Sequence, residues 1–96
     1  MIRGGYTMKK ITFFGSPLCP DCDPAREYLL ENDVEFKYIN ITDSMQSLKI
    51  FLALRDHAPF FDSIKSNGKV GIPVVMIGDG EVFYQAYSGM DLTPFQ

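Results

Sequence analysis

Apolar and polar positions along the chain fall into short periodic segments separated by Gly, Pro, Asn and Asp. "KKITFF", Lys9 to Phe14, is β-branched and aromatic and runs straight into Gly15, Ser16 and Pro17, which predicts a strand entering a loop. Cys22, Ala25 and Leu29 then recur at helical spacing, with Arg26 and Glu27 on the opposite face, and "END" at 31–33 ends that helix. Two starts are open for it. A helix opening at Pro20 would bend at Pro24, whereas one opening at Pro24 would take Asp23 as its cap and leave the preceding residues in a separate turn.

"VEFKYIN", Val34 to Asn40, alternates Val34, Phe36 and Tyr38 with Glu35 and Lys37, the period of a strand with one wetter face. In "TDSMQSLKIFLALRD", Met45, Leu48, Phe51 and Leu52 return to helical spacing, with Thr42, Asp43 and Ser44 offering cap oxygens. "PFFDSIKSNG" predicts one more short helix, with Pro59 in its first turn and Asn67-Gly68 as its left-handed exit. "IPVVMI", Ile72 to Ile77, is a continuous apolar run of strand length and belongs in the middle of a sheet. Gly78-Asp79-Gly80 turns it into "EVFYQAY" as an antiparallel hairpin. The order predicts an α/β fold: a small mixed four-stranded sheet flanked by helices, with two parallel strands around a right-handed crossover and then the hairpin. Residues 1–7, "MIRGGYT", are expected to be a flexible lead-in, and residues 8–96 a single domain.

Composition narrows the function mainly by exclusion. At 96 residues, 46% hydrophobic and 14% aromatic, the chain has the length and content of one soluble domain, burying roughly 60 to 70% of its unfolded surface. No stretch approaches the ~20 apolar residues of a membrane helix. A net charge of −3, with no run of Lys and Arg, argues against phosphate-backbone binding, so neither nucleic acid nor a membrane is expected as a partner. The first residues carry no apolar core of signal-peptide length, which predicts a reducing cytoplasm. There, two nearby cysteines are more often catalytic or metal-binding than a structural staple.

The two cysteines, Cys19 and Cys22, sit where a strand gives way to a helix. Unpaired amides and the dipole at a helix start favour a thiolate at Cys19, and Cys22, one turn on, is placed to reach it. Pro20 suits a first helical position. Asp21 and Asp23 favour the helix but repel a neighbouring thiolate, offsetting part of that gain. As buried hydrophobes the cysteines would be poorly served by a Pro-Asp filling. As zinc ligands they are half a site: there is no second pair, and His57 is the one imidazole, so closure would need a second subunit. Redox chemistry is the preferred reading. His57, at the end of the second predicted helix, reads as a capping side chain, and Lys69 and Arg55 as solvated cations.

From Met8 on, the sequence of elements, "CPDC" opening a helix, "GIPVV" and "SGMDL" resemble the glutaredoxin family of the thioredoxin fold. "CPDC" with "LRDHAPFFDSIKSNGKVGIP" resembles a bacterial glutaredoxin-related subgroup. The resemblance implies a thiol-disulfide oxidoreductase in which Cys19 attacks and Cys22 resolves, acting on protein or glutathione mixed disulfides. It also implies a cis bond before Pro73 and an Ile72 backbone that offers its amide and carbonyl to an extended substrate segment. The substrate-binding residues it implies are Pro20, Asp21, Ile72, Pro73, Ser88, Gly89 and Asp91. Where family members often carry a lysine three positions before the first cysteine, this chain has Ser16, and their Gly-Gly-X-X-Asp turn appears only as "SGMDL". The last helix is expected to be short or absent. No built-in cofactor or metal is expected; glutathione is a candidate cosubstrate, and the chain is expected to be a monomer. The alternative is a non-catalytic module of the same fold that binds a metal or iron-sulfur cluster, or senses redox state, through these cysteines.

Overall fold

The central strand is β1 (Ile11–Gly15), buried at every position. The computed structural model describes residues 10–96, so the expected lead-in at 1–7 lies outside the described residues. β2 (Lys37–Asn40) runs parallel to β1 with Tyr38 opposite Phe13. On the other side β3 (Val74–Ile77) runs antiparallel with Val75 opposite Phe13, and β4 (Val82–Gln85) completes the order β2-β1-β3-β4. The mixed four-stranded sheet and its closing hairpin are as the element order predicts.

Alternation along the strands divides the core in two. Ile11, Phe13 and Val75 pack on one face against Ala25 and Leu29 of α1 (Cys22–Glu31), with Met90 and Phe95 from the C-terminal segment. Phe14, Val74 and Met76 pack on the other against Phe51 of α2 (Met45–His57), with Phe61 and Phe83. Phe61 ends a 3-10 turn (Pro59–Phe61) that leads into α3 (Asp62–Ser66), so the single short helix expected from 59 to 68 is two pieces. α2 starts where the cap signals place it, with the Ser44 hydroxyl accepting the Ser47 amide. The final helix is reduced to a 3-10 turn, Thr93–Phe95.

Two boundaries differ from expectation, both at α1. It opens neither at Pro20 nor at Pro24 but at Cys22, with Asp21 at the N-cap making no side-chain cap bond. Pro24 thereby falls in the first turn, where a missing amide costs no intrahelical bond. At the other end Asp33 takes φ 62, the Val34 amide donates to the Leu29 carbonyl and the Asp33 amide to that of Leu30. This is a Schellman closure, with Val34 packed in the same core as Leu29. Val34 is therefore tied to the helix end, and the chain joins the sheet only at Lys37 rather than at Val34. Phe36 and Tyr38 still share a face, each ring within 6 Å of Phe13, at 5.5 and 5.9 Å.

Candidate active site

β1 delivers the chain at Gly15 and Ser16 into a turn closed by its own backbone. The Cys19 amide donates to the Ser16 carbonyl at 3.1 Å, and the Cys22 amide to the Cys19 carbonyl at 3.2 Å. Ser16, at the position where the resemblance places a lysine, is 1% exposed and points inward. Its hydroxyl oxygen accepts the Leu18 amide at 3.1 Å and lies 2.7 Å from the Thr42 hydroxyl. Thr42 already donates its proton to the Asn40 side-chain oxygen, so Ser16 is the donor to Thr42. The turn before Cys19 is thus fastened to the end of β2. Gly15 leaves room for the pair: a Cβ there would come within 2.8 Å of the Phe13 ring and 3.3 Å of the Cys22 sulfur.

Both cysteines are free thiols, Cys19 partly exposed and Cys22 buried on the same stripe of α1 as Ala25 and Leu29. Burial pushes the Cys22 thiol up to about 12. Its hydrogen bond to the Cys19 sulfur and the charges of Cys19 and Asp23 add to the rise, against a Ser16 backbone hydrogen bond that lowers it. At pH 7 Cys22 is therefore held as the neutral thiol. Cys22 gains reactivity as pH rises towards that value and has almost none at neutrality. Brief treatment of the folded, reduced chain with iodoacetamide at pH 7 is therefore expected to modify Cys19 and spare Cys22, as read by peptide mass. Equal labelling of both would show that Cys22 is neither shielded nor held protonated.

Cys19 lines a cleft of about 720 Å³, and Ile72 and Pro73 line it too. The Ile72–Pro73 bond is cis. The segment leading to it is held by Arg55, whose Nε donates to the Val70 carbonyl at 2.7 Å and whose Nη2 donates to that of Lys69 at 2.6 Å. Arg55 is therefore a brace rather than a solvated cation, and Lys69 lines the cleft. Of the residues expected to bind substrate, Asp21, Ile72, Pro73 and Ser88 line the cleft with Cys19; Pro20, Gly89 and Asp91 do not. Asp91 instead accepts the Thr93 amide and hydroxyl, which hold its carboxyl below the usual carboxylate range. Sequence reasoning passed over Leu18, Val70 and Tyr87, which also line the cleft. Their one signal was position: each lies within two residues of a motif already singled out.

His57 Nδ1 lies 2.8 Å from the Ala53 carbonyl in the last turn of α2, the helix-end role expected of it. Among the described residues no three His, Cys, Asp or Glu side chains form a set that could hold a metal ion. None of their helices is long and apolar enough to cross a membrane.

The family model described as Glutaredoxin matches residues 11–83, from β1 into β4. A protein of Haemophilus influenzae, described as uncharacterized, is 36% identical over 75 residues, covering 78% of this chain and 87% of that relative. No solved structure matches.

Proposed function

The chain belongs to the glutaredoxin family, and from that premise we propose that it is a dithiol thiol-disulfide oxidoreductase working through Cys19 and Cys22. The carrying observation is the pairing of a cleft-lining Cys19 with a Cys22 that is buried and whose thiol burial and the neighbouring Cys19 hold protonated. In the first step the Cys19 thiolate attacks one sulfur of a substrate disulfide. A Cys19–substrate disulfide forms, and the other substrate sulfur leaves as a thiolate that takes up a proton.

Forming that bond removes the negative charge on Cys19, and with it the Coulombic and hydrogen-bonding contributions that hold the Cys22 proton. Cys22 is thus easier to deprotonate after capture than before it. Its thiolate then attacks the Cys19 sulfur and expels the second substrate thiolate. Two electrons pass from the dithiol to the substrate, and the Cys19–Cys22 disulfide left behind is reopened by an external thiol reductant. The substrates under this reading are protein or glutathione mixed disulfides, with glutathione as cosubstrate rather than resident cofactor.

A stoichiometric experiment tests the sequence. Prereduced chain mixed with an equimolar small disulfide is expected to lose both alkylatable thiols for each substrate disulfide reduced, and two hydrogens in mass. Substrate reduction that left both thiols alkylatable would rule out the dithiol route.

A further inference from the structure

We propose that the Cys19 cleft takes the disulfide of an extended protein segment with apolar side chains beside its cysteine, in preference to glutathione disulfide, and that Leu18, Val70 and Tyr87 make that recognition. This inference rests on the redox reading of the pair and concerns what the pair acts upon. Among the described residues seven large hydrophobic side chains are exposed, and three of them, Leu18 (80%), Val70 (53%) and Tyr87 (58%), line this cleft. Single exposed hydrophobics are ordinary, but their gathering around a nucleophile from three separate segments is not. Leu18 immediately precedes Cys19, Val70 lies on the segment braced by Arg55, and Tyr87 follows β4.

Charge points the same way. Among the described residues Asp21 and Lys69 are the only charged side chains lining the cleft, one anion and one cation. Glutathione carries two carboxylates against one ammonium and no side chain bulkier than its thiol-bearing methylene. The hydroxyl at Ser16 offers it nothing, because it is buried and committed to Leu18 and Thr42. The Asp91 carboxylate is committed to Thr93. A glutathione disulfide would therefore find no surplus of positive charge in the cleft and would leave the three apolar side chains uncovered. A protein segment is neutral along its backbone and can cover them, removing apolar surface from water on both partners.

The test uses the full, prereduced chain in single turnover, its dithiol supplying the two electrons. Three disulfides serve as probes: a short peptide with one internal disulfide whose first cysteine is flanked by Leu and Phe, the same peptide flanked by Ser and Asn, and oxidised glutathione. The apolar peptide is expected to react with a second-order rate constant at least about tenfold above either other probe. The double substitution Leu18→Ser with Tyr87→Ser is expected to bring that ratio close to one. Leu30→Ser, which removes an exposed leucine elsewhere, is expected to leave the ratio as in the wild type. Equal rates in the wild type, or a preference that survives the double substitution, would overturn apolar recognition while leaving the redox reading intact. Reaction with none of the three would overturn both.

Discussion

Cys19→Ser is expected to abolish disulfide reduction, by at least about a thousandfold, whereas Cys22→Ser is expected to react once and stop. The two sulfurs lie in one motif, yet their surroundings give them different work. Cys19 is partly exposed in a cleft open to a second sulfur, and a hydroxyl in its place is no nucleophile at neutral pH. Cys22 is 1% exposed, out of reach of a substrate that has not already bonded to Cys19. Replacing it with serine keeps the size of the buried group and a donor for the Cys19 sulfur, so capture proceeds. Without a resolving thiol the chain accumulates as a stable adduct carrying one substrate thiol, visible as a single added mass. Undiminished multiple turnover of a protein disulfide by Cys22→Ser would contradict the dithiol sequence and assign resolution to an external thiol. Activity surviving in Cys19→Ser would move the nucleophile elsewhere altogether.

Local pattern carried the sheet further than it carried the site. The apolar run before Gly78 is a central strand because both its faces are buried, Val75 against α1 and Val74 against Phe51 and Phe61, and such a run has few other places to go. The start of α1 was less legible because Pro20 and Pro24 both satisfy the preferences of a first helical turn. What places the helix start at Cys22 is the turn fastened through Ser16 to Thr42, 26 residues away, a partner that no local preference reveals. The period-two pattern starts β2 three residues too early for a related reason. Val34 fits a strand by its side chain, but its amide is taken by the helix it follows.

The cleft shows the same limit at longer range. Leu18, Val70 and Tyr87 each look unexceptional in sequence, as a lone apolar residue beside a turn. Only the return of β3 alongside β1, with β4 on its far side, brings their segments to the mouth that holds Cys19. Arg55 is a sharper case: a cation near a helix end reads as solvated, yet its two donors meet the carbonyls of a segment 14 and 15 residues on. Spacing marks the chemistry-bearing residues, and only the fold marks those that shape access to them.

Phe61→Ala is expected to be the most destabilising single substitution on the α2 face of the sheet and to reach the active cleft as well. The ring is fully buried and meets Phe51, Phe60 and Phe83 edge-on, with centroids at 5.9, 5.0 and 5.1 Å. Truncating a buried Phe costs about 3–5 kcal/mol, a large share of the roughly 5–15 kcal/mol that holds a small domain together. For a chain of this length that corresponds to a melting midpoint lowered by at least about 12 °C. The same ring underlies the segment that enters the cleft: a Cβ on Gly71 would stand 3.1 Å from it, and Gly71 lies between Val70 and Ile72. Arg55 would still hold the carbonyls of Lys69 and Val70, but the floor beneath Gly71 would be a cavity. Phe61→Leu retains most of the volume, is expected to cost about 1 kcal/mol, and stays folded, so its exchange rate reports the cleft wall alone. That rate is expected to fall for the apolar-flanked peptide, because Val70 loses the support that fixes its position. A midpoint lowered by less than about 4 °C in Phe61→Ala would mean that the neighbouring rings close the gap and that the segment before Pro73 does not rest on this side chain.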